Sequence, residues 1–595
     1  MKAVRLFAVV LLAVFAALPA CAAPKTVVIA DEAKKIVLVF VADGLRYVSV
    51  TPQSAPTLWR VKSQGVDFTD SHALYPTITT VNASAIATGH YIGDTGNFGN
   101  ALYSGFPVPE TGGAPIVGME SDPMLGEMNA HFGGNYLNET SLLAAARQAG
   151  FATAAIGKVG PTAIQDVTQR DGNGTIVIDD ALGTPAGIAL APDIAAAIKA
   201  AGLPATAPKT NVPNNEQEKY LAAVATKVVL PRLLESGKPI LMVFWSRDPD
   251  ASQHGEKDGS INGPTGRAGI KDADDTLAAL LAGLKAQGVD NITNVFVTAD
   301  HGFSTIDRHS ATSAAAKISY ADVPAGETPP GLVAIDLADA LGLPLNDPHL
   351  HKPVDYKSGE HPTGGNGFLG NDPDHPDVMV IANGGSDHIY LPGADAKDLA
   401  AKIVGILAKE DYVGAIFVND ALGDIPGTLP MSAVNLRGLA LTTQPSIIVG
   451  FRSVLIPGCT PELMCAAEVA DTSLETGQGM HGTFSRADTR NFMAAIGPDF
   501  KAHFADPAPV SNADITPTLA HILGLRIAPK GGLTGRAATE ALKGGKRVSV
   551  TRGWIASTMA TSEGEKQFLE YQQVGGTRYF DAAGFPARTV GLSAH

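Results

Sequence analysis

Apolar residues fall along this chain in short unbroken runs, each closed by polar residues. The runs cover 35–42 (KIVLVFVA), 151–156, 239–245 (PILMVFW), 294–298, 378–382 and 446–450. They have strand length, are rich in β-branched residues, and are continuous instead of alternating, so they predict strands buried on both faces. Between them a 3.6-residue period predicts helices over 140–148, 217–235, 271–285, 396–409 and 515–523. Strands alternating with helices predict an α/β fold: a doubly wound, mostly parallel central sheet with helices on both faces. Two Gly/Pro-rich stretches, 96–134 and 304–377, read as excursions from that sheet that form inserted cap loops.

Composition narrows the class. With 595 residues, 45% of them hydrophobic, and 64 Gly and 40 Pro, the chain is neither disordered, coiled coil, collagen-like nor a polytopic membrane protein. A formal charge of −15 without a basic run argues against a nucleic-acid scaffold. Residues 1–22 read as a signal peptide: Lys2 and Arg5 precede an apolar run to Ala20, and Ala20-Cys21-Ala22 offers small residues for cleavage. The expected location is periplasmic or secreted. Leu18 to Cys21 also resembles a lipoprotein signal that would anchor the chain through Cys21, a pattern that Pro19 fits poorly. No later segment has the roughly 18 apolar residues of a transmembrane helix. Cys459 and Cys465, six apart, fit a loop-stapling disulfide in an exported chain. Cys459-Thr460-Pro461 is no sulfatase-type nucleophile, since Leu463 stands where that motif needs Arg.

Candidate chemistry gathers where the strand runs end, which is where open α/β sheets bind ligands. Asp43 follows VFVA, Asp250 and His254 follow PILMVF, Asp300 and His301 follow NVFVTA, and His481 lies in a Gly-x-His-Gly segment. A single Asp or His at a strand end is commonly solvated or capping; the argument rests on the set. Three carboxylates and three imidazoles supply roughly three protein ligands for each of two metal ions and suit Zn²⁺, with Mg²⁺ or Mn²⁺ also compatible with the carboxylates. Within Tyr75 to Gly89, small and apolar residues from Thr80 to Thr88 predict a short helix stopped by Gly89. Thr79 then sits at the helix N-terminus, where an anion is favoured, and becomes the candidate nucleophile.

Taken in order, Asp43-Gly44, Pro76 to Asn82 (a Pro-Thr-x-Thr-x-x-Asn segment), Asp250-x-x-x-His254, Asp300-His301-Gly302 and Gly479 to Gly482 resemble the type I phosphodiesterase/nucleotide pyrophosphatase branch of the alkaline phosphatase superfamily. The likeness runs from about residue 35 to about 540, where 511–519 resembles a late helix of that superfamily. It implies that Thr79 is transiently phosphorylated. It further implies that Asp250, His254 and His481 hold one Zn²⁺, and that Asp43, Asp300, His301 and Thr79 hold the other. Asn100, or less favourably its neighbour Asn97, would donate to the phosphate. Lys158 matches the Lys of a Lys-x-Arg phosphate grip whose Arg is replaced by Gly160, so the resemblance favours diesters, unless another loop supplies the cation, such as Arg247. Thr80 stands where nucleotide-cleaving relatives carry an aromatic residue. A phosphomonoesterase and a phosphonate hydrolase are the catalytic alternatives; a non-catalytic binding module would require degraded ligands.

Other features read as structural. Trp245 ends an apolar strand and reads as core. His349, His351, His361 and His375 read as loop histidines, Asp387-His388 lacks the following Gly, and Gly531 to Gly535 lacks the Lys-Ser/Thr of a phosphate loop. Because ligands for one site are scattered from Asp43 to His481, residues 23–545 are expected to fold as one catalytic domain, with 546–595 a tail packed on it.

Overall fold

A computed structural model of the chain describes residues 27–28, 35–460 and 462–593; the predicted signal segment and Cys21 lie outside them. The central sheet has eight strands: β1 (Ile36–Ala42), β2 (Val66–Phe68), β3 (Ala152–Gly157), β4 (Ile176–Asp179), β5 (Ile240–Ser246), β6 (Thr293–Thr298), β7 (Met493–Ile496) and β8 (Phe504–Asp506). Their spatial order is β8-β2-β7-β6-β1-β5-β3-β4. Only β7 runs antiparallel to its neighbours.

The unbroken apolar run of β1 is explained by its two covered faces. Val37, Val39 and Val41 join a core on one side that includes Ile86 and Leu519, whereas Ile36, Leu38 and Phe40 join a second core with Leu277 and Leu280. Each such fully buried side chain contributes roughly 1.5–3 kcal/mol. Register then sets the chemistry. Val41 pairs with Trp245 of β5 and with Thr298 of β6, and Trp245 pairs with Gly157 of β3. The carboxyl ends of four strands are therefore level, and Asp43, Lys158, Asp250 and Asp300 emerge together.

Two of the predicted strands belong elsewhere. Val378–Ala382 and Ile447–Phe451 lie in a second eight-stranded sheet whose pairs are antiparallel, apart from Val413–Val418 with Leu429–Pro430. An apolar run reports burial of both faces, not strand direction, and this sheet is buried by helices Leu332–Leu341 and Ala396–Leu407 on a separate core. Three short strands from 304–377, Leu345–Asp347, Lys352–Pro353 and Gly367–Leu369, belong to that sheet. Residues 96–134 carry a hairpin, Ala101–Tyr103 with Ile116–Gly118, and a helix, Asp122–His131. Near the C-terminus, Thr551–Ala556, Phe568–Val574 and Thr577–Gly584 form a three-stranded antiparallel sheet that lends Leu569, Phe580 and Ala583 to the first core. Cys459 and Cys465 are disulfide-bonded.

Candidate metal centre

Helix α1 (Thr79–Thr88) starts at Thr79 and ends at Gly89, whose φ of +76° is the left-handed conformation that a helix stop favours. Every residue of α1 is buried. At its first position Thr79 Oγ1 lies 3.2 Å from His301 Nε2. The same Nε2 is 3.2 Å from Asp300 Oδ2 and 3.5 Å from Asp43 Oδ1. Asp250 opens helix α2 (Asp250–Gly255), one turn before His254, and this i, i+4 spacing puts His254 Nε2 3.1 Å from Asp250 Oδ1. His481 Nε2 approaches the same oxygen at 3.6 Å, and the His301 and His481 rings stack with centroids 3.5 Å apart. All six predicted ligands and Thr79 thus converge.

The grouping differs in one respect from the expected division. Asp250, His254 and His481 bring ligand atoms within 4.8 Å of one another, and so do Asp43, Asp250 and His301. Asp250 therefore stands between the two halves of the site and is within reach of both.

The donor set fits divalent cations. Asp43 Oδ1, Asp250 Oδ1 and Asp300 Oδ2 are buried oxygens with no hydrogen-bond partner among the described residues. Each histidine has its Nδ1 at a backbone carbonyl: His254 at Gly479, His301 at Gly302, His481 at Thr77, all within 2.7–2.8 Å. Those contacts assign the proton to Nδ1 and leave the Nε2 lone pairs toward the orphan oxygens, as metal-ligating histidines require. Electrostatics agree. Burial, reinforced by Asp43, holds the Asp300 carboxyl well above the ordinary carboxylate range, and burial raises Asp43 as well. Burial also lifts Asp250, yet Lys158 and His254 outweigh it and hold that carboxyl well below the range. Burial pushes His481 well down, with His301 adding to the effect. Lys158 alone does not balance three buried carboxylates, and a divalent cation would supply the remaining positive charge.

Several supporting residues carry no sequence signal of their own. The Trp245 indole N–H donates to Asp43 Oδ2 at 2.8 Å, so this core residue also orients a predicted ligand. The Gly44 N–H donates to Asp300 Oδ1 at 3.0 Å. Thr77 accepts the Gly482 N–H at its hydroxyl, which ties the turn before α1 to the His481 loop. Asn512 Nδ2 donates to the Asp300 carbonyl and to Asn82 Oδ1. Asp488 joins the two histidine loops: Ser304 Oγ, Thr483 Oγ1 and the Thr483 N–H donate to its carboxylate, and the Gly302 N–H donates to its carbonyl.

Of the predicted substrate groups, Asn100 lies beside the helix start, with Oδ1 accepting the Thr80 N–H at 3.0 Å. Asn97 is buried and donates Nδ2 to the Thr80 carbonyl, a structural tie. Lys158 Nζ lies beside the predicted ligands, 3.0 Å from Asp43 Oδ2, 3.2 Å from Asp250 Oδ2 and 2.9 Å from Glu120 Oε1. Arg247 pairs with Asp180.

Two further triads of potential ligands occur among the described residues, His90–Asp94–Glu139 and Asp70–His72–Asp581. In the first, Asp94 and Glu139 accept the backbone N–H groups of Lys530, Gly531 and Leu533. A Cβ at Gly531 would lie 2.1 Å from Asp94 Oδ2, so the Gly-rich segment wraps carboxylates, not phosphate.

The sequence model of the family described as type I phosphodiesterase / nucleotide pyrophosphatase matches residues 37–385. That span holds Thr79, Asn100, Lys158 and every predicted ligand except His481. No curated protein matches the chain.

Proposed function

Because the chain belongs to the type I phosphodiesterase/nucleotide pyrophosphatase family, whose members hydrolyse phosphate esters, we propose that it is a two-metal phosphodiesterase acting through a phospho-threonine at Thr79. One observation carries this reading: Thr79 Oγ1, at the first position of a buried helix, lies 3.2 Å from His301 Nε2, which also faces two carboxylate oxygens that have no hydrogen-bond partner, Asp300 Oδ2 and Asp43 Oδ1. Asp43, Asp300 and His301 would hold one ion and Asp250, His254 and His481 the other, with Asp250 also in reach of the first. The ions, for which this mixed N/O set favours Zn²⁺, would supply Lewis acidity and neutralise oxygen charge.

The protein's own groups do the rest. The start of α1 presents Thr79 Oγ1 for in-line attack on phosphorus: its bond to phosphorus forms as the P–O bond to the leaving alkoxide breaks, and its hydroxyl proton passes to solvent water. Asn100, oriented through Oδ1 by the Thr80 N–H, keeps its amide Nδ2 to donate to a non-bridging oxygen. The departing alcohol takes up a proton, and water then displaces Thr79 from the phosphoryl group. The carbonyls of Gly479, Gly302 and Thr77 hold the three imidazoles in one tautomer throughout.

Residues 23–545 form the catalytic unit in this reading, doubly wound about the central sheet, with the two excursions as its cap and 546–595 packed on it. The Lys2/Arg5-led apolar segment supports export to the periplasm or beyond. The deciding assay measures an aryl phosphate diester, an aryl phosphate monoester and a dinucleotide on one purified sample. Diester turnover above monoester turnover, abolished by chelation, is expected; diester turnover that survives complete metal removal refutes the proposal.

A further inference from the structure

Gly160 and Glu120 together account for the scarcity of free positive charge beside the metal centre. Gly160 has φ +88°, and a Cβ there would lie 2.7 Å from both Glu120 Cα and the Met119 carbonyl oxygen. The position two residues after Lys158 therefore excludes every side chain, an arginine included. The Glu120 backbone occupies that space, and the Glu120 carboxylate reaches Lys158 Nζ at 2.9 Å. The Glu120 side chain keeps 32% of its surface exposed and Lys158 only 3%, although Oε1, the Glu120 oxygen that meets Lys158, is itself buried. Lys158 is shared among three carboxylates, and Arg247 is held by Asp180.

We propose that Glu120 is a specificity-determining residue that selects phosphate groups bearing one negative charge over those bearing two. A phosphate monoester carries nearly two charges at neutral pH, because its second pKa is about 6, whereas a diester carries one. A fixed carboxylate cancels the ammonium that would otherwise meet the second charge, and repels it. At separations of several ångströms near a protein surface, one such charge pair changes a rate ratio by about tenfold or more. This selection rests on the phosphodiesterase reading of the same site and assigns it a charge filter.

The test compares wild type with E120Q, E120A and E120D, using an aryl phosphate monoester, the matching aryl methyl phosphate diester, and inorganic phosphate as inhibitor. E120Q and E120A should each raise the monoester-to-diester ratio of kcat/KM about tenfold and lower the phosphate inhibition constant by a similar factor. E120D, which keeps the charge, should stay near the wild-type ratio. An unchanged ratio in both neutral variants, or an equal fall on both substrates with no change in phosphate affinity, overturns the role of Glu120. Failure of the wild-type protein to hydrolyse either ester would instead overturn the reading of the site.

Discussion

Trp245 and Asp43 are joined across neighbouring strands, the indole N–H donating to Asp43 Oδ2 at 2.8 Å, with the Lys158 ammonium 3.0 Å from the same oxygen. Both donors occupy Oδ2, and Oδ1 is left toward His301. Replacing the indole by a ring that cannot donate frees the carboxylate to rotate. W245F should therefore weaken metal binding by about tenfold, read as the free-metal concentration that half-saturates the apoprotein. An unaltered midpoint would mean that packing alone holds Asp43.

The N-cap of α1 is Ile78, which makes no side-chain capping bond, and the Thr79 hydroxyl at the first helical position lies against His301 Nε2. T79A should lower kcat by about a thousandfold or more, while bound metal, measured by atomic absorption, falls little. Turnover near the wild-type rate would remove Thr79 from the chemistry.

Asp488 fastens the loop after His301 to the loop after His481 through Ser304 and Thr483. D488N keeps the shape but turns one acceptor oxygen into a donor facing hydroxyl and amide donors. Metal affinity should drop by 10- to 100-fold, and in a calorimetric titration the two ions should become separable in affinity. Identical titrations for variant and wild type would confine Asp488 to folding.

Asp581 of the C-terminal sheet lies 2.9 Å from His72 Nε2 and 3.7 Å from Arg486 Nε. Burial alone would raise this carboxyl, but its bonds and attraction to His72, with Arg486, lower it to about 2 from the ordinary 3.8. A depressed carboxyl stabilises the fold fully above pH 3.8, and that contribution is lost as pH falls through about 2. D581N should cost about 2 kcal/mol at pH 7 in urea unfolding, and the difference from wild type should shrink toward pH 2. A pH-independent difference would contradict the ion-pair origin.

The convergence of the predicted ligands was legible in the chain because they follow apolar runs and keep short fixed spacings. Asp250 and His254 need only one helical turn to share a face, and Asp300 and His301 are adjacent. Asp488, Trp245 and Glu120 were not legible in these roles. An acidic residue or a tryptophan gains such a role from what lies opposite it, and Ser304 and Thr483 reach Asp488 from segments far apart in the chain. The second sheet was misread for a related reason: the runs at 378–382 and 446–450 look like those of β1, and direction is set by the partner strand.

What the amino-acid order determined by itself was therefore local: which runs bury both faces, where α1 starts and stops, and which donor types stand at strand ends. Tertiary structure decided how those ends are grouped. The parallel register that levels Val41, Trp245 and Thr298 brings Asp250 within reach of both halves of the metal centre. The backbone at Met119–Glu120 bars a side chain from Gly160 and puts a carboxylate on Lys158. Spacing along a chain fixes distances only over a few residues; longer-range proximity comes from which buried faces pack together, and here that packing puts Glu120 against Lys158.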